Sequence, residues 1–219
     1  MRAERLIYFE NPQGLLAAVK SGVLETEVVL DLGCGIVPSN FFRPKLHILV
    51  EPWEEYANVL AFRYQGDKSV LILKAGALEA IAQFQSNSVD SIFLLDVIEH
   101  LEKADGMRLL NEMERVARQQ IVVFTPLGFM PQHLDLNEKE AWGLAGGEMQ
   151  LHRSGWLPSD FAGYWTFYVC ERYHTVDFRG APLEREYGAF YAVRTFHDKA
   201  GIERPAAFSD IRRPLPSEE

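Results

Sequence analysis

Cysteine is scarce: the 219 residues hold two, Cys34 and Cys170. Their spacing gives neither a disulfide framework nor a thiolate metal site, and a reducing cytoplasm fits such usage best. Long apolar runs are missing as well. No stretch approaches the roughly 20 residues of a membrane-spanning helix. The opening "MRAERLIYFENPQGLL" has no apolar core and is cut by Pro12, so no signal peptide is expected. Positive charge is in deficit, with 22 Lys and Arg against 31 Asp and Glu and a net charge of −9. That balance opposes non-specific binding to nucleic acid, which rests on neutralising phosphates. No set of carboxylates or histidines stands at ligand spacing, so no metal is implied. Internal repeats and domain-sized linkers are also lacking.

What remains is the composition of a soluble globular chain, 47% hydrophobic and 24% charged, of a length suited to one domain. Asn11-Pro12 opens a short helix, "PQGLLAAVKSG". The strand "EVVLDLGCG" follows, then the strand "LHILVEP" and the helix "WEEYANVLAFRYQG". "SVLILKAG" reads as a strand, "ALEAIAQFQ" as a helix and "DSIFLLDVIEHL" as a strand running into a loop. "ADGMRLLNEMERVAR" is an amphipathic helix and "QQIVVFTP" a fifth strand. Alternation of this kind predicts an α/β fold, a mostly parallel sheet with helices on both faces. After Pro126 it breaks. An insert at about residues 127–157 precedes a predicted helix beginning at "LPSDFAGYW". "YHTVDFRG" and "GAFYAVRTF" read as two closing strands, with "YWTFYVC" an alternative strand. Residues 1–200 are thus read as one domain and 201–219, rich in proline and charge, as a loose tail.

The stretch "VVLDLGCGIVPSNFF" carries the chemistry. Asp31 closes the first buried strand, and Gly33, Cys34 and Gly35 follow it at the end where parallel sheets bind ligands. Glu51 closes the next strand, followed by Pro52, and a carboxylate there can accept hydrogen bonds from both hydroxyls of a ribose. A phosphate-bearing nucleotide favours a glycine-rich loop, a free helix N-terminus and often a lysine. Here an acid precedes the glycines, no lysine is near, Pro38 stands where a third glycine would, and Pro44 limits any helix to little more than a turn. A cationic, phosphate-free adenosyl compound suits that loop better, and S-adenosylmethionine is one. A nicotinamide-dependent oxidoreductase and a non-catalytic binding subunit are the rival readings. Cys34 has no basic neighbour to stabilise a thiolate and reads as a small filler.

"VVLDLGCG", "ILVEP", "DSIFLLDVIEHL" and "QQIVVFTP" resemble, in order and spacing, the motifs of class I S-adenosylmethionine-dependent methyltransferases over about residues 27–126. The resemblance implies a Rossmann-like, seven-stranded, mostly parallel sheet whose last strands form an antiparallel hairpin. It also implies S-adenosylmethionine as cofactor, with Gly33 and Gly35 along its methionine part, Asp31 close by and Glu51 on the ribose. Ala77 and Leu78 would flank the adenine, and Asp96 would sit beside both methionine and acceptor. The family often places an acid after the third strand, against the adenine amino group; "KAGALE" has none. A subset with a similar loop and similar "EHL" and "FTPLG" stretches is linked to sugar or glycan synthesis. That implies a small-molecule acceptor, such as a hydroxyl of a glycan precursor.

An oxygen acceptor wants a base near neutral pH, and histidine titrates there. His100, in "DVIEHL", and His133, just beyond strand five, are the candidates; for His100 the alternative is a structural ring bonded to backbone. The insert also holds Trp142, Met149, His152, Arg153 and Trp156. Two readings stand for it: a lid over the acceptor, or a surface excursion whose aromatics pack back on the core.

Overall fold

The computed structural model describes residues 5–132, 147–176 and 180–196. Eight strands make one sheet, in the order β1-β7-β8-β6-β5-β2-β3-β4. Strands β2 (Val28–Leu32), β3 (Leu46–Val50), β4 (Val70–Leu73), β5 (Val89–Leu95) and β6 (Ala117–Pro126) run parallel. β8 (Pro182–Thr195) lies antiparallel to β6 and to β7 (Thr166–Val176), the expected reversed hairpin. β1 (Arg5–Tyr8) pairs in parallel with β7 and makes the eighth strand, one more than the seven expected. Four residues are too few to show a strand's alternation in sequence.

Chain order reverses beside β2: β3 and β4 continue to one side, β5 and β6 to the other. A crevice opens at the carboxyl ends of β2 and β5, where such sheets bind ligands. The helices are α1 (Pro12–Gly22), α2 (Glu54–Arg63), α3 (Ala77–Ile81) and α4 (Lys103–Val116). α1 starts as its sequence dictates: the Asn11 side chain accepts from Gly14 N at 2.9 Å, and Pro12 sits in the first turn. Leu109, Met113 and Val116 of α4 enter the core on one face of the sheet with Leu30, Leu32, Ile92 and Leu94. Val29 and Phe93 point to the other face, against Leu15 and Val19 of α1. This is the period-two alternation of a strand covered on both sides.

As Pro44 implies, no helix lies between β2 and β3; Phe41 and Phe42 pack on Phe93, at ring distances of 5.4 and 6.2 Å. One local reading changes. "LPSDFAGYW" makes only a 3-10 turn over Pro158–Asp160. Asp160 accepts from Leu157 N at 2.8 Å and from Lys103 Nζ at 2.6 Å, and Gly163 turns the chain at φ 87°. Phe161 and Trp165 then drop into the core against Phe167 and Phe190, which a continuous helix would not permit. The closing strand β7 runs from Thr166 to Val176, so it takes in both "TFYVC" and "YHTV".

Among the described residues, no helix is long and apolar enough to cross a membrane.

Candidate functional site

The crevice holds a cavity of about 630 Å³, within the range of small-ligand sites. Its walls divide by chemistry. One half is lined by Gly33, Cys34, Gly35, Glu51, Pro52, Gly76 and Ala77. Gly33 and Gly35 have φ of 67° and 56°, a left-handed backbone that glycine adopts without penalty. At Gly33 a Cβ would also stand 2.7 Å from Val97 Cγ2. Glu51 is 4% exposed. Its Oε2 accepts from Gly35 N at 2.9 Å and its Oε1 from Trp53 N at 2.8 Å. The carboxylate thus binds the first loop to the second while facing the cavity. Among the described residues, no lysine or arginine lines this half. Burial, with the Asp31 and Glu51 carboxylates added, drives the Cys34 thiol pKa far up, so it stays protonated. A negative field, a tight loop and no basic group fit a cation without phosphates.

Two expected cofactor residues sit elsewhere. Asp31 is 1% exposed and does not line the cavity. Its Oδ2 accepts from Ser39 N at 2.7 Å and lies 3.3 Å from His47 Nε2, outside hydrogen-bonding alignment. Strand parity explains this, since Asp31 shares a face with Val29. It shapes the loop, and its charge is felt at Cys34. Leu78 packs into the core from α3 and does not reach the cavity, whereas its neighbour Ala77 does.

The other half is lined by His100, His152, His174, Arg153, Tyr173 and Tyr191, with Met130, Gln132 and Met149. Asp96 and Glu99 stand where the halves meet. Asp96, at φ 53°, is a non-glycine residue in left-handed backbone, a local strain of the kind stored at functional sites. It opens onto the cavity and hydrogen-bonds Glu99. Burial pushes the Glu99 carboxyl up, at 2% exposure, and the Asp96 carboxylate beside it adds to the rise. Thr125 Oγ1 donates to Glu99 Oε2 at 3.1 Å.

The histidines are held neutral. Burial, then His152, lowers His100 to about 4; the surrounding carbonyls of Leu151, Asp96 and Gln150 oppose this only in part. Burial, then His152, also brings His174 to about 4, and burial lowers His152. The short 3-10 turn Ile98–His100 is fixed to the segment opposite: Arg153 N and Ser154 N donate to Glu99 O at 2.7 and 3.0 Å. Trp156 Nε1 donates to Ile98 O at 3.3 Å. Trp156 is fully buried and belongs to the core, while Met149, His152 and Arg153 face the cavity. His133 and Trp142 lie outside the described residues.

His174 and Glu99 escaped the sequence reading as site residues. His174 sat in an ordinary strand pattern, and Glu99 was hidden inside "DVIEHL" without a visible partner. His152 was seen, but its approach to His100, across 52 positions, is tertiary. Glu99, His100 and His152 also come together as a group that could hold an ion, a juxtaposition that spacing along the chain does not reveal.

Comparison with known proteins agrees with the crevice. Residues 30–124 match a family described as a methyltransferase domain. The YcgJ protein of Bacillus subtilis has the same fold at 16% identity and a TM-score of 0.58, over 84% of this chain and 97% of that one. The magnesium protoporphyrin IX methyltransferase of Synechocystis, with bound S-adenosylmethionine, aligns at 14% identity over 83% of this chain and 76% of its own, with a TM-score of 0.45. No curated protein matches by sequence. The match at residues 30–124 takes in the glycine loop, Glu51, Asp96 and His100, so the crevice lies within a stretch similar to a methyltransferase domain.

Proposed function

We propose that the chain is an S-adenosylmethionine-dependent methyltransferase and acts on a hydroxyl of a small molecule that enters beneath residues 130–132 and 149–153. The observation that supports it most is the cavity's division: a carboxylate-and-glycine half meets a histidine-rich half at Asp96. Gly33, Cys34, Gly35, Glu51, Pro52 and Ala77 hold S-adenosylmethionine, with Asp96 at the junction and Asp31 shaping the loop. When bound, that cofactor supplies a methyl group on a positively charged sulfur, open to in-line displacement by a nucleophile.

The chain's own residues supply alignment and dryness. Tyr191 is 7% exposed and packs 4.4 Å from the Phe124 ring, giving the acceptor half an apolar floor. Met130, Met149 and Arg153 form its roof, so residues 130–132 and 149–153 act as a cover over the acceptor. The neutral rings of His100 and His152 present lone pairs to the acceptor O–H. The proton lost as the oxygen gains its methyl group passes to that pair. An amine would need no such acceptors once desolvated. A sugar as acceptor gains no support from the family match, which reaches methyl transfer and no further.

The test is transfer of labelled methyl from S-adenosylmethionine into a fractionated pool of small hydroxyl compounds, with amines, RNA and protein as parallel acceptors. Label is expected on an oxygen of a small molecule. Label found only on nitrogen, RNA or protein refutes the reading.

A further inference from the structure

We infer that Glu99, His100 and His152 form a binding site for a divalent first-row transition cation at the acceptor end of the cavity. One carboxylate oxygen and one ring nitrogen from each histidine lie within 4.8 Å of one another. An ion holding its donors at about 2.1 Å sets them about 3 to 4 Å apart, so small side-chain rotations close the set.

The tautomers are already fixed for the purpose. His100 Nδ1 lies 3.2 Å from Leu151 O, and His152 Nδ1 lies 2.6 Å from Met130 O. A carbonyl only accepts, so each Nδ1 donates at these contacts and Nε2 is the nitrogen left to offer a lone pair, with the Asp96 and Gln150 carbonyls also about the His100 ring. Metal-binding histidines are oriented in this way, by donating the far N–H to a backbone oxygen. The two rings stand 4.9 Å apart at 60°, so they are neighbours without being stacked. Glu99 is buried, with its oxygen positioned by Thr125.

The site has room beyond three donors. His174 Nε2, on the same cavity wall, is buried and has no hydrogen-bond partner among the described residues, and neither has Gln132 Oε1. Both are polar atoms on residues lining the cavity that holds the three donors. Asp96, hydrogen-bonded to Glu99, adds a second carboxylate beside the set. Two imidazoles and a carboxylate with open positions suit zinc, cobalt, manganese or iron more than magnesium or calcium, which prefer all-oxygen shells. Binding displaces the proton held on Glu99.

The consequence for the reaction rests on the hydroxyl acceptor proposed above. An acceptor oxygen bound to the ion loses its proton more readily. His100 and His152 are then ligands in place of proton acceptors, and the proton lost from the oxygen passes to the Asp96 carboxylate, which opens onto the cavity.

The experiment uses the full chain without added histidines, stripped with chelator. It is titrated with cobalt(II) chloride, read by visible absorption, and with zinc chloride, read by calorimetry. S-adenosylhomocysteine is titrated separately into the same preparations. One ion per chain is expected, with the metal Kd raised at least about tenfold in His100→Ala and His152→Ala and unchanged in His47→Ala. His152→Gln, which keeps the side chain's bulk, serves if the alanine variant does not fold. Homocysteine-product binding with no stoichiometric metal uptake overturns the cation site and leaves the methyl-donor reading standing. Unchanged metal affinity in the folded His152 variant overturns it as well. Metal uptake without product binding upholds the site and counts against the proposed reaction.

Discussion

Glu51→Ala puts the cofactor half to its most direct test. The wild-type carboxylate makes two charge-assisted hydrogen bonds, to Gly35 N at 2.9 Å and Trp53 N at 2.8 Å. Each such bond contributes about 1.5–3 kcal/mol. Alanine removes both, so the loop after β2 loses its tie to the loop after β3, and folding stability falls by about 3 kcal/mol or more. The same carboxylate is assigned the two ribose hydroxyls. Losing those contacts costs a comparable amount again, which corresponds to a rise in Kd of roughly 100-fold. Glu51→Gln retains one acceptor oxygen but turns an amide N–H toward a backbone donor. Its affinity should fall by roughly tenfold. The assay is calorimetry with S-adenosylhomocysteine at a temperature where circular dichroism shows each variant folded. A folded Glu51→Ala chain with native affinity refutes the assignment, whatever its loss of stability.

Two further predictions concern the acceptor half. Glu99 keeps a proton in the folded chain that the unfolded chain has released, because burial and then Asp96 hold its pKa well above the ordinary 4.5. Stability is therefore lost as pH rises from 4.5 toward the folded value, by about 1.4 kcal/mol per pH unit while the proton is retained. His100 and His174, lowered from 6.5 to about 4, act in the opposite sense and only below 6.5. Urea unfolding of the metal-stripped chain should thus show a fall as pH rises above 6.5 that Glu99→Gln reduces; an unchanged slope in that variant would contradict it. Gly106→Ala in α4 should destabilise by about 1–2 kcal/mol despite alanine's helix preference, because overpacking outweighs it. The added Cβ would stand 2.4 Å from Cζ2 of the fully buried Trp156. Chemical denaturation checks this, and a stabilised variant would show that the packing argument is wrong.

The order of elements was legible because each parallel strand is an apolar run ended by turn residues, as in "VVLDLGCG" and "LHILVEP". Such strands are buried on both faces, so local sequence and tertiary setting agree. Glu51 was readable because it stands just past the end of β3, where the chain turns out into the crevice. Asp31 was misplaced because one residue of strand phase decides which face a side chain takes. Leu78 was misplaced in the same manner on a helix, one position past a residue that does line the cavity. The acceptor half was largely unreadable. His100, His152 and His174 come from a 3-10 turn, an irregular segment and a hairpin strand, and no periodicity links them. Their meeting depends on Trp156 and Phe161 filling the core, which also cut short the helix expected from "LPSDFAGYW".

The segment opposite His100 is fastened by main-chain amides: Arg153 N and Ser154 N reach the Glu99 carbonyl whatever their own side chains are. Changing residue 153 therefore alters what the pocket recognises and leaves the anchorage intact. Acceptor choice can diverge here without cost to donor binding, because the grip on the methyl donor is built from other strands.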